Sequence, residues 1–111
     1  VVNCYPSTLY PAVINIVDNA LHWLNAVPGG RRIEFHADAD AIYVSNNGPT
    51  IESYDGVRIF ERGFSRKAGG RGLGLFISAR ALEAEGMALQ LAEPRPGYSV
   101  TFAIAINKLG E

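Results

Sequence analysis

The segment "YSVTFAIAI", residues 98–106, places Val100, Phe102, Ile104 and Ile106 at every second position. A period of two is the signature of a strand, and one wholly apolar face demands a second layer to cover it. The chain has two segments that can supply that layer. Residues 9–26, "LYPAVINIVDNALHWLNA", carry apolar side chains at helical spacing. Ser7 or Thr8 is the expected N-cap, Pro11 is expected in the first turn, and "PGG" at 28–30 ends the helix. A second helix is expected from about Gly72 to Glu85, stopped by Gly86. "RRIEFHA" and "AIYVSN", joined by "DAD", read as a hairpin with Ile33, Phe35, Ile42 and Val44 facing inward. "MALQLAE" and "YSVTFAIAI", joined by "PRPG", form two further strands, and residues 1–4 read as the end of another. The order of helix, two strands, loop, helix and two strands predicts an α/β two-layer sandwich. Its sheet would be mixed and mostly antiparallel with helices on one face, the other being solvated or covered by sequence outside this chain.

Composition narrows the class of partner. With 111 residues, 48% hydrophobic and 19% charged, the chain suits one domain with a real core. A formal net charge of −1 gives no electrostatic case for nucleic acid as the main partner. Apolar runs fall far short of the roughly 20 residues that span a bilayer, so no direct membrane contact is expected. Cys4 is the only cysteine, which excludes an internal disulfide and a cysteine zinc cage, and fits a reducing compartment. There is no basic-then-apolar leader, and the chain opens on "VVNCYP" without Met, so a piece of a longer protein is expected.

Three stretches carry the chemistry. "GGRGLGLF", 69–76, puts Gly70, Gly72 and Gly74 ahead of a helix with Arg66, Lys67 and Arg71 nearby. Free backbone N–H groups at a helix start favour an anion such as phosphate. Neither the P-loop nor the dinucleotide G-x-G-x-x-G pattern fits, and a plain flexible loop remains an equal reading. "SNNGPTI", 45–51, ends a strand as a turn; alternatively Asn46 bonds a ligand while Gly48 lets the backbone come close. In "INIVDNALHWL", 14–24, Asn15 and Asn19 sit one helical turn apart, with Trp23 continuing the row and His22 beside it. Two outward-facing or loop-capping amides are one reading. The other gives the amide oxygen of Asn19 to a hard cation such as Mg²⁺, which takes few ligands from protein and the rest from phosphate and water.

Taken in order, "NIVDNALHW", "NNGPT", "IFERGF" and "GRGLGL" resemble the N, G1, F and G2 boxes of the GHKL (Bergerat-fold) ATP-binding domain. Sensor histidine kinases, DNA gyrase, Hsp90 and mismatch-repair ATPases share that domain. The likeness runs from about Leu9 to Ile106. It implies that Asn19 coordinates the Mg²⁺ bridging the phosphates of ATP, that His22 stands where many relatives carry a phosphate-reaching lysine, and that Trp23 packs near base or ribose. Asn46 replaces the usual Asp that accepts from the adenine amino group, and Thr50 replaces the second glycine of that box. Ile51, Leu73 and Leu75 would line the base pocket and the G2 box. Phe60 and Phe64 would anchor a lid, ordinary packing in the core being the alternative. Arg66, Lys67 and Arg71 would face the phosphates, with Gly70, Gly72 and Gly74 letting backbone close on them.

Asn15 separates the branches of the family. Hydrolysing members carry a glutamate there as general base, and an amide has no useful basicity. The resemblance therefore points to a sensor histidine kinase, whose nucleophile is a histidine on a separate dimerisation domain. Neither His22 nor His36 stands in a phosphoacceptor pattern, so no catalytic residue is expected within this chain. The implied partners are ATP with Mg²⁺, the histidine-bearing domain of the same protein, and a response regulator receiver domain. The implied location is the cytoplasm, with a parent that could be membrane-anchored. A non-catalytic nucleotide-dependent interaction module and an anti-sigma-factor-type serine kinase are the alternative readings.

Overall fold

A computed structural model describes residues 6–50, 59–60 and 74–106. Helix α1 spans Pro6–Leu24 and helix α2 Gly74–Glu83; the strands are β1 Ile33–Ala37, β2 Ala41–Asn46, β3 Ala88–Ala92 and β4 Val100–Ala105. The expected strand over residues 1–4 lies outside the described residues.

In α1, Ala12, Ile16, Ala20 and Leu24 are buried at four-residue spacing, which makes one continuous stripe. The helix begins earlier than the sequence suggests. Pro6 occupies its first position, where a fixed φ and a missing N–H cost nothing. Ser7 and Thr8 therefore lie inside the helix rather than capping it, and Pro11 falls in the second turn, where it forfeits a backbone bond. The far end stops two residues short of Ala26. Asn25, Ala26 and Val27 donate to the carbonyls three residues back, the tight pattern of a closing turn, because Pro28 disfavours helical backbone at the residue before it.

Helix α2 ends in a Schellman motif. Gly86 adopts φ 79°, its N–H bonds the Glu83 carbonyl at 3.0 Å, and Met87 N–H reaches back to the Leu82 carbonyl at 2.9 Å. Leu82 and Met87, the hydrophobic pair that accompanies this motif, are both in the core.

The sheet order is β1-β2-β4-β3, every pair antiparallel. The two expected hairpins thus join through β2 and β4. The β1–β2 turn is closed by Asp38, whose Oδ1 accepts from the N–H groups of Asp40 (2.8 Å) and Ala41 (2.9 Å). Those two backbone donors hold the Asp38 carboxyl below its ordinary pKa.

Register places Ile33, Asn46 and Val100 in one row across the sheet, and Phe35, Val44, Phe102 and Leu91 in the next. This face meets the helices: Val44, Phe102 and Ile104 share a cluster with Ala12 and Ile16 of α1 and Leu82 of α2. Phe35 departs from expectation. It belongs to that face, yet it is 57% exposed, because β1 is the edge strand while α1 packs over β2 and α2 over β3.

The opposite face is not simply solvated. Ser45 and Thr101 lie on it, 0% and 1% exposed, and satisfy each other through an Oγ···Oγ1 hydrogen bond of 2.8 Å. Arg95, from the β3–β4 connection, donates its backbone N–H to Thr101 Oγ1 (3.2 Å), and its Nε lies 2.8 Å from Glu34 Oε1 in an ion pair. Glu34, Ser45 and Thr101 are consecutive across the register, so Arg95 stretches over Ser45 like a strap.

Candidate functional site

The described candidates lie on α1, at the end of β2 and at the start of α2, with Asn15 of α1 bonded to Gly74 of α2 and Gly48, after β2, against Trp23 of α1. Asn46 is the last residue of β2, on the helix-facing side, and is 4% exposed. Its Oδ1 accepts the N–H of Gly48 at 2.9 Å, an Asx turn. Because a backbone N–H can only donate, this bond fixes the amide orientation, with Oδ1 toward Gly48. The Asn46 carbonyl accepts from Ser99 N–H (3.0 Å), and the single hydroxyl proton of Ser99 is shared between the Gly48 carbonyl, its closer partner, and the Asn46 carbonyl (3.3 Å).

Gly48 is required here for a local reason. A Cβ would sit 3.0 Å from Asn46 Oδ1 and 3.5 Å from the carbonyl carbon and oxygen of Trp23. The missing side chain lets the turn lie against the last turn of α1. Asn47, not singled out from the sequence, holds the other side. Its Oδ1 accepts from Arg32 N–H and its Nδ2 donates to the Gly30 carbonyl, both at 2.7 Å. The doubled Asn ahead of Gly was the available signal.

On α1, Asn15 and Asn19 share one side, and both are half-buried. They differ in what they bond. Asn15 Nδ2 donates to Ser78 Oγ at 2.8 Å and to the Gly74 carbonyl at 3.3 Å, tying α1 to the first two turns of α2. The Asn19 side chain makes no hydrogen bond to another described residue, which leaves its amide oxygen available as a hard donor. Among the described residues no group of three His, Cys, Asp or Glu side chains could cage a metal. Mg²⁺ takes few ligands from protein and the rest from phosphate and water, so a single amide oxygen would suit it.

His22 and Trp23 are both half-buried, their rings edge to face with centroids 4.9 Å apart. Phe60 packs edge-on against Phe102, centroids 6.2 Å apart, so its ring is part of the core's border. Leu75 packs against the same core from the first turn of α2, and Gly74 opens that helix. Thr50 is exposed. The candidates Ile51, Phe64, Arg66, Lys67, Gly70, Arg71, Gly72 and Leu73 lie outside the described residues. Among the described residues no helix is long and apolar enough to cross a membrane.

Among the described residues, an antiparallel four-stranded sheet with two helices on one face makes a two-layer α/β sandwich. The chain belongs to the family described as histidine kinase-, DNA gyrase B- and HSP90-like ATPase, whose model matches residues 4–108. Signal transduction histidine-protein kinase AtoS of Escherichia coli K12 is 32% identical over 108 residues, covering 95% of this chain and 17% of that protein. Sensor protein ChvG of Agrobacterium fabrum is also 32% identical, covering 90% of this chain and 18% of that protein. The chain thus spans less than a fifth of the length of these curated relatives.

Among solved structures, the mycobacterial sensor histidine kinase MprB superposes with a TM-score of 0.70 at 27% identity, over 92% of this chain and 72% of that one. The catalytic domain of histidine kinase ThkA gives 0.66 at 27% identity, over 90% and 67%. The fold is that of histidine kinase catalytic ATPase domains, and the chain corresponds to that domain of a sensor kinase.

Proposed function

We propose that this domain binds Mg·ATP and presents its γ-phosphate to a histidine on a separate dimerisation domain, from which a response regulator receiver domain is then phosphorylated. The observation that carries transfer rather than hydrolysis is the state of Asn15. The side chain at the position of a hydrolase's general base is an amide, and both of its protons point into α2. It has no basic atom with which to activate water.

The other residues take roles that their surroundings support. Asn19 lends its amide oxygen to Mg²⁺. Asn46, held rigid by Gly48 and Ser99, offers the base its Nδ2 protons and the second lone pair of Oδ1. His22 and Trp23 border the nucleotide at the end of α1, while Gly74 and Leu75 border it from α2. Arg66, Lys67 and Arg71, with Gly70, Gly72 and Leu73, contribute positive charge and close backbone at the phosphates; Ile51 lines the base pocket, and Phe64 with Phe60 anchors the lid. Bound Mg·ATP supplies the phosphoryl group, and the chain supplies positioning and electrostatic stabilisation. Use of ATP places the domain in the cytoplasm, as one part of a longer kinase.

Calorimetric titration with a non-hydrolysable ATP analogue tests the reading. Saturable binding that requires Mg²⁺ is expected, and absence of binding at millimolar ligand would sink it.

A further inference from the structure

Ser78 is a buried hydroxyl, 3% exposed, that no role in nucleotide binding accounts for. Its Oγ accepts from Asn15 Nδ2 at 2.8 Å, across the α1–α2 contact and 63 residues apart in sequence. The second proton of the same nitrogen reaches the carbonyl of Gly74, the first residue of α2. One amide group therefore grips α2 at two points one turn apart. Asn19, the proposed magnesium ligand, lies one turn farther along α1 on the same side.

We propose that Asn15 and Ser78 form a latch, a pair of positioning residues that holds the N-terminal end of α2 at a set distance from Asn19. The inference rests on the nucleotide reading above, in which the start of α2 borders the phosphates. The chemistry of the latch is specific. The Gly74 carbonyl can only accept, so position 15 must donate. A carboxylate there would face the carbonyl acceptor to acceptor. An aspartate loses the Gly74 bond yet still accepts from the Ser78 hydroxyl, whereas a leucine, close to asparagine in size, keeps the packing and loses both. By the same argument a glutamate at position 15 forfeits the Gly74 bond as well as introducing a base. Ser78 contributes the second acceptor from within the helix contact. Because the latch sets α2 rather than the base end of the site at Asn46, it acts on phosphate recognition and leaves recognition of the nucleoside alone.

The test is an NMR titration of the 111-residue protein with adenosine and, separately, with a non-hydrolysable ATP analogue plus Mg²⁺. Asn15→Leu and Ser78→Ala are each expected to weaken the ATP analogue by about three- to tenfold, the factor of one neutral hydrogen bond. Adenosine affinity stays within about twofold, and the double variant falls no further than the weaker single one, since both break the same connection. Equal weakening of adenosine and ATP analogue would reduce the pair to a general structural contact. An unchanged ATP analogue affinity in both variants would overturn the latch. Wild-type protein that binds neither ligand overturns the nucleotide site itself, a result distinct from failure of the latch.

Discussion

Asn19 and Asn15 are the same residue type, one turn apart on one helix, and only their surroundings separate them. Asn15 is spent on α2, whereas Asn19 keeps its oxygen uncommitted among the described residues. Asn19→Ala should therefore weaken Mg²⁺-dependent nucleotide binding by roughly 1–3 kcal/mol, the scale of a lost polar contact to a charged group. Parallel titrations with and without Mg²⁺ check it: the loss belongs to the Mg²⁺ arm, and an unchanged affinity there would contradict the role. The pair was visible in the sequence as a violation of helix propensity. Which one bonds Ser78 was not, because that depends on where a helix 63 positions away is docked. Asn46 has the same history: a turn-former in the sequence, it proves to be a buried amide with one lone pair already given to Gly48.

At the scale of elements, the best-read features were those with local causes. The β2 strand falls on the expected "AIYVSN", and α2 stops at the expected glycine. Boundaries shifted where proline allowed two placements: Pro6 at the first helical position starts α1 sooner than an N-cap at Ser7 or Thr8 would. Phe35 was misjudged for a different reason. Alternation gives the face of a strand but not whether a helix reaches that far across the sheet. The Gly86 terminus gives a firm expectation at this scale. Its φ of 79° lies in the left-handed region, where an L side chain costs about 1–2 kcal/mol. Gly86→Ala should lower the melting temperature by roughly 5–10 °C and leave the fold intact. Thermal denaturation followed by circular dichroism would show it, and a shift under a degree would mean the Schellman turn relaxes freely.

For the whole molecule, the question is how the four strands and two helices of the described residues close both sides of a sheet. The helices bury one side, and the sequence announces this through Val100, Phe102 and Ile104. The other side carries Ser45 and Thr101, which alternation assigns to solvent, and the register with Arg95 explains why they are buried instead. A connection folding back over its own sheet has no signature in periodicity. Arg95 could act through its charge or its hydrocarbon stem, and the two can be weighed. The Arg95 and Glu34 side chains remain 37% and 39% exposed, so water reaches most of the pair although Glu34 Oε1 itself is buried, and pairs this exposed contribute about 1 kcal/mol or less. The stem, lying over a buried polar pair, excludes water irrespective of salt. Arg95→Ala should then destabilise the domain by roughly 1–2 kcal/mol, and Arg95→Met, which keeps the stem, by less than half as much. Denaturant midpoints measured at low and at high salt discriminate the terms. A stem-dominated strap gives the same ranking in both, whereas a Met variant as unstable as the Ala variant, with a deficit that vanishes in high salt, would assign the closure of this face to the Glu34 ion pair.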